Sequence, residues 1–210
     1  MWEMLARGTP AFMVVPPVLP LLLLAAMALE AVPVTWWSLS VLGVLGVLAA
    51  IGLHFFRDPE RPTAEGLVAP AHGRVLGVDE EDGRVRVSTF MGPFDVHVIR
   101  APLEGKVVSM ERGGSGYHRA DSPAAGHNVQ LELGFQGASE PFAVVLVSGW
   151  FARRIVPYVA EGDVVTRGSR IGLIRFGSRV DVLVPKGLYD LSVAKGSRVR
   201  AGSSSLGVRR

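Results

Sequence analysis

The chain contains no cysteine. That absence removes disulfides, thiolate metal sites and a cysteine nucleophile from consideration. Aromatic residues make up only 8% of the sequence. They are not interleaved with basic residues into the stripe that nucleic-acid binding would need, so no nucleic-acid partner is expected. Charge of either sign is scarce early on: between Arg7 and Arg57 the only formally charged residue is Glu30. His118 and His127 fall in a glycine-rich stretch without ligand spacing, so no metal site is expected. No long segment of helical period appears beyond Gly66.

The chain has 210 residues, enough for one ordinary domain and an appendage. Its 22 Lys+Arg against 19 Asp+Glu give a formal charge of +3. This small excess, mostly arginine, suits an anionic membrane surface or an anionic substrate.

Two 19-residue runs, 11–29 and 37–55, lack Lys, Arg, Asp and Glu. A helix of about 20 residues crosses a bilayer, so the reading is two N-terminal transmembrane helices within a membrane anchor, 1–56. Glu30-Ala31-Val32-Pro33 supplies the turn. Arg7 precedes the pair and Arg57 and Arg61 follow it, which puts both ends in the cytoplasm. The expected location is the cell (inner) membrane, with a cytoplasmic domain. Two features keep a re-entrant segment or a signal peptide open as alternatives. Pro16, Pro17 and Pro20 disturb the first run, and Ala26-Met27-Ala28 resembles a signal-peptidase site.

Residues 57–210 read as a β-rich domain. Alternating, β-branched runs at 84–88, 96–99, 129–133 and 143–147 predict strands, punctuated by Gly, Pro and Asp. The stretch 111–127 reads as a loop. One internal echo is present: Val159-Ala160-Glu161-Gly162, then Val165, Gly168 and Ile171-Gly172, returns as Val193-Ala194-Lys195-Gly196, then Val199, Gly202 and Leu206-Gly207. This predicts two related hairpin turns. They are similar to the barrel-sandwich hairpins of biotinyl- and lipoyl-carrier domains, without the carrier lysine. The fold class is therefore mainly β, barrel-sandwich-hybrid-like, with few helices.

Gly-Ser dipeptides occur at five places, and only Gly177-Ser178 sits before a strand-like run with a distinctive setting, Arg175-Phe176-Gly177-Ser178-Arg179-Val180-Asp181. Four further segments precede it: Phe55-Phe56-Arg57-Asp58-Pro59-Glu60-Arg61, Ala69-Pro70-Ala71-His72-Gly73-Arg74-Val75, Asp95-Val96-His97-Val98-Ile99-Arg100-Ala101-Pro102, and Ala152-Arg153-Arg154-Ile155-Val156. Together, in this order, the five resemble the short, membrane-anchored phosphatidylserine decarboxylases. The resemblance implies self-cleavage between Gly177 and Ser178 into a large and a small chain that stay associated. It implies a covalent pyruvoyl cofactor made from Ser178. It also implies decarboxylation of bilayer phosphatidylserine to phosphatidylethanolamine, through a Schiff base on that pyruvoyl. The family usually has aspartate where this chain has His72.

Chemistry then selects partners for Ser178. A hydroxyl needs a base, and His97 is the candidate for both the cut and the later proton donation. Asp95, two residues away, shares one side of a strand with His97 if that segment is extended, and so can orient it. His72 is the other candidate partner. Gly177 gives the backbone freedom at the cut. Because a neutral imidazole replaces the carboxylate, slow self-cleavage is expected. Arg153 and Arg154 are candidates for the lipid phosphate. Phe151 and Phe176 are candidates for an apolar floor beneath the departing carboxylate. Three other readings stay open: a decarboxylase for another amino-acid-headed lipid, a membrane-tethered β module that does not cut itself, and a homo-oligomer.

Overall fold

The computed structural model describes residues 6, 11–150, 154–175 and 178–210, with side chains omitted for 11–16. The chain forms two compact units, Met1–Asp58 and Pro59–Arg210.

The first unit holds helices α1 (Ala11–Ala28) and α2 (Trp36–Phe55), which pack on each other. A capping box starts α2: the Thr35 hydroxyl accepts the Ser38 N–H at 3.3 Å, and the Ser38 hydroxyl accepts the Thr35 N–H at 2.9 Å. Both runs are therefore helical, but the expectation of two transmembrane helices is met only in part. By length and composition, α2 can cross a membrane, with mean hydropathy 2.0. In α1 the described apolar stretch, Pro17–Ala28, falls short of the roughly 20 residues a span requires.

The second unit is mainly β. Its main antiparallel sheet contains β2 (Gly73–Glu81), β3 (Arg84–Met91), β5 (Gly105–Gly113), β6 (Gln130–Gly137), β7 (Pro141–Val147), β9 (Val164–Val165), β11 (Ser178–Pro185) and β13 (Arg198–Val199). Their order is β13-β2-β3-β11-β7-β6-β5-β9. Two three-stranded sheets complete it among the described residues. One is β1 (Leu67–Val68), β14 (Ser205–Arg209) and β12 (Tyr189–Leu191), with β14 central; the other is β4 (Val98–Arg100), β10 (Arg170–Ile174) and β8 (Ile155–Pro157), with β10 central. Inward residues of these strands, among them Met91, Leu133, Leu146, Val180 and Val182, form one buried cluster.

The internal echo is a structural repeat. Each copy runs turn, two-residue strand, turn, longer strand. The turn glycines match in conformation: Gly162 and Gly196 both have φ of 95°, and Gly168 and Gly202 have 81° and 74°. These are left-handed values that favour glycine. The bonds match too. Gly162 donates to the Val107 carbonyl at 2.9 Å and Gly196 to that of Val75 at 2.8 Å. Gly168 donates to Ala101 at 2.8 Å and Gly202 to Ala69 at 2.9 Å. The short strands β9 and β13 thereby close the two opposite edges of the main sheet, where unpaired backbone would otherwise be exposed. Their acceptors lie in a second echo that the sequence reading missed. Ala69-Pro70-Ala71-His72-Gly73-Arg74-Val75 matches Ala101-Pro102-Leu103-Glu104-Gly105-Lys106-Val107.

One register row runs across seven strands, through Arg198, Arg74, Phe90, Arg179, Val147, Gln130 and Gly113. It marks one end of the sheet, where β3, β5, β7 and β13 finish and β2, β6 and β11 begin. Ser178 lies at this end.

Candidate active site

Ser178 is the first residue of β11, opposite Met91, the last residue of β3. Its side chain is fully buried. Its Oγ has no hydrogen-bond partner among the described residues. A buried, unsatisfied hydroxyl costs on the order of 1–3 kcal/mol. Thr89, Ser148, Ser169 and Ser203 carry others, so Ser178 is distinguished by its place directly after Gly177 at the head of an interior strand.

The loop 92–97 joins β3 to β4. At its start, Met91 pairs with Ser178; just past its end, Val98 pairs with Leu173. The His97 carbonyl also accepts the Ile174 N–H at 3.4 Å. The loop is thus fastened to the chain on both sides of the Gly177-Ser178 bond.

His97 is fully buried, and its Nδ1 lies 2.8 Å from the carbonyl oxygen of Asp95. A carbonyl only accepts, so Nδ1 carries the hydrogen, and the neutral ring keeps its lone pair on Nε2. That tautomer can take a proton at Nε2.

The Asp95 carboxylate has a different role from the one its spacing suggested. Residues 95–97 are not a strand; β4 begins only at Val98. The carboxylate accepts the Gly92 N–H at 2.8 Å, which closes a tight turn. Its other oxygen lies 3.6 Å from His72 Nε2 and 3.4 Å from an Arg198 guanidinium nitrogen. It is the Asp95 backbone carbonyl that His97 Nδ1 meets.

His72, about one-fifth exposed, stands between Asp95 and Arg61, whose guanidinium nitrogen is 3.4 Å from its Nδ1. Arginine only donates, so Nδ1 accepts and the ring hydrogen on Nε2 faces Asp95. His72 therefore belongs to the polar shell that supports loop 92–97. An open cleft of about 520 Å³ lies beside it, lined also by Arg198, Arg200, Ser203 and Ser204.

A buried ion group anchors the strand just past Ser178. Asp181 is fully buried and receives bonds from Arg179 at 2.7 and 2.6 Å and from Arg86 at 3.0 Å. Burial pulls the Arg86 pKa down, but its bonds to Asp181 and Glu81 outweigh that and leave it raised. The sequence reading missed this group. The i, i+2 spacing of Arg179 and Asp181 on a strand was its one local signal.

Arg154 is exposed. Gly177, Phe176, Phe151 and Arg153 lie outside the described residues. Among the described residues, no cluster of His, Asp and Glu could hold a metal.

Comparison with known proteins adds three findings. A family model described as phosphatidylserine decarboxylase matches residues 48–207. A protein of Streptomyces avermitilis named phosphatidylserine decarboxylase proenzyme is 40% identical over 94% of this chain and 90% of its own length. One of Halobacterium salinarum, named putative archaetidylserine decarboxylase proenzyme, is 43% identical over 78% of this chain and 84% of its own.

Proposed function

The chain belongs to the phosphatidylserine decarboxylase family, and from that premise we propose that it cuts itself between Gly177 and Ser178 and then converts phosphatidylserine to phosphatidylethanolamine and CO2. The observation that carries this reading is the buried, unsatisfied Oγ of Ser178 at the head of β11. A hydroxyl kept dry and unbonded is available to attack a neighbouring carbonyl. It also fits the position from which a pyruvoyl group would be made.

In the cut, His97 Nε2 takes the Ser178 hydroxyl proton and Oγ attacks the Gly177 carbonyl carbon. The peptide nitrogen leaves as the amine, and an ester replaces the amide. Loss of the Ser178 α-proton then expels the Gly177 carboxylate and leaves dehydroalanine. Its imine tautomer adds water and releases ammonia, giving the pyruvoyl end. General-base help of this kind is worth about 10²–10⁴ in rate. The His97 tautomer supports it.

In turnover, position 178 would hold the pyruvoyl group, and the chemistry that group would supply is an electron-accepting ketone. The residues do the rest. His97 returns a proton from Nε2 to the carbon that lost its carboxylate. Burial excludes water, which strengthens each charge interaction in the site. Exposed Arg154 is the described residue suited to the lipid phosphate. Arg153 for the phosphate, and Phe151 and Phe176 for an apolar floor, remain the candidates that the sequence offers. The helix α2 holds the enzyme in the membrane that contains its substrate, with the domain on the side of Arg57 and Arg61.

The archaetidylserine name of one relative favours a second reading, a different lipid with the same serine headgroup. The test is CO2 release by the purified full chain from each lipid in mixed micelles. Release from phosphatidylserine supports the first reading and preference for archaetidylserine the second; release from neither contradicts both.

A further inference from the structure

The end of the sheet that carries Ser178 also presents an outer surface around the site. Three stretches of chain stand at that end: loop 92–97 after β3, residues 148–150 after β7, and the long 114–129 connection into β6. The last two are held together. Asn128 donates to the Ser148 carbonyl at 2.7 Å, and Ser148 donates to Val129 at 2.9 Å.

Each connection presents an aromatic ring to solvent. Phe94 is 77% exposed, Trp150 65% and Tyr117 38%. Among the described residues of Pro59–Arg210, these are the aromatic side chains more than about a third exposed. Phe135, Phe142 and Tyr189, by contrast, lie in the core of this unit. An exposed Phe and Trp on neighbouring loops are costly in water and suited to a lipid interface, where aromatic side chains collect.

Charge at this end has a matching sign. Arg154, Arg198 and Arg200 are exposed, as is Arg119. The two acidic residues of these connections, Asp95 and Asp121, are ion-paired with Arg198 and Arg119, so Arg154 and Arg200 carry the net positive charge of the rim. The bond from Arg119 holds the Asp121 carboxyl below its usual range, against the smaller opposing effect of burial. This cationic rim complements an anionic bilayer surface.

We propose that this rim is a membrane-docking surface of the catalytic unit itself. In it Phe94 and Trp150 insert at the headgroup level of an anionic bilayer, beside the buried Ser178 end. The inference rests on the reading above only for its purpose, delivery of a membrane lipid to Ser178.

The direct test uses the full chain in bilayer nanodiscs, with Trp2, Trp36 and Trp37 changed to Phe so that Trp150 is the sole emitter. Brominated phosphatidylcholine with phosphatidylglycerol should quench Trp150 several-fold, and removal of the anionic lipid should reduce the quenching. Emission equal in brominated and unbrominated discs overturns the proposal. Carried out in a Ser178→Ala background, this readout does not depend on decarboxylation, so a failure of the functional reading leaves it decisive.

A second variant guards against misfolding. Phe94→Ala should lower kcat/KM on vesicle-embedded long-chain phosphatidylserine about tenfold. It should leave a soluble short-chain analogue unaffected. Equal losses on both substrates contradict the proposal.

Discussion

Ser178 and Met91 are register partners, the first residue of β11 opposite the last residue of β3. Six residues on from Met91, His97 is fastened to Ile174 on the other side of the Gly177-Ser178 bond. Backbone pairing thus ties the loop that ends at His97 to the chain on both sides of Ser178.

Ser178→Ala removes the attacking oxygen. We expect an uncut chain with its fold retained, because a methyl group replaces a buried hydroxyl that makes no bond. Decarboxylation should fall below detection. Two fragments from this variant would place the cut elsewhere.

His97→Ala should slow both self-cleavage and turnover by about 10²–10⁴. Asp95→Asn is the sharper experiment. The backbone carbonyl that His97 Nδ1 meets survives the change, and the amide can still accept from Gly92. We expect less than about a tenfold loss in the cleavage rate. In a triad where the carboxylate itself orients the imidazole, the loss is about 10⁴. A time course of cleavage by intact mass separates the two.

Part of this site was legible in the sequence. Ser178 and His97 stand out by residue type and motif, and alternation located β3, β6 and β7. The role of Asp95 was not legible, because the i, i+2 argument assumes an extended strand. Pro93 has no N–H to donate, and the Gly92–Asp95 turn breaks the pleat. The Arg86–Asp181 bond joins residues 95 apart, and no local pattern reports such a pair. Likewise β5 extends to Gly113, and a 3-10 turn spans Pro123–His127, inside the stretch read as loop. The paired echoes of residues 69–75 and 101–107 were available and went unused.

Asp181→Ala leaves the Arg86 and Arg179 guanidinium groups beside a buried gap. Breaking a buried ion pair costs about 3–5 kcal/mol. Urea unfolding in the Ser178→Ala background should show a loss of that size. A loss under 1 kcal/mol would mean that water reaches the group.

The cut chain should remain one particle. β11 lies between β3 and β7, so the small chain supplies an interior strand of the main sheet. We expect both fragments in one peak by size exclusion, and their separation only in denaturant. Two native peaks would contradict the sheet order.

Tyr189 of the small chain donates to the buried Glu140 of the large one. Burial, then the Glu140 carboxylate, pushes the phenol pKa above its ordinary value. A raised acid pKa stabilises the fold below the ordinary tyrosine range, near pH 10, and that contribution is lost as pH climbs through the raised value. Wild type should therefore lose its stability advantage over Tyr189→Phe only at strongly alkaline pH. An advantage already lost at pH 8 would refute the assignment.

The account turns on position 178 becoming a ketone, and intact-mass spectrometry of catalytically active protein, before and after borohydride, tests this most directly. We predict two species in place of one near 22.4 kDa, with the smaller gaining the mass of two hydrogens on reduction. A single full-length chain, unchanged by borohydride and still releasing CO2 from the lipid, would contradict it.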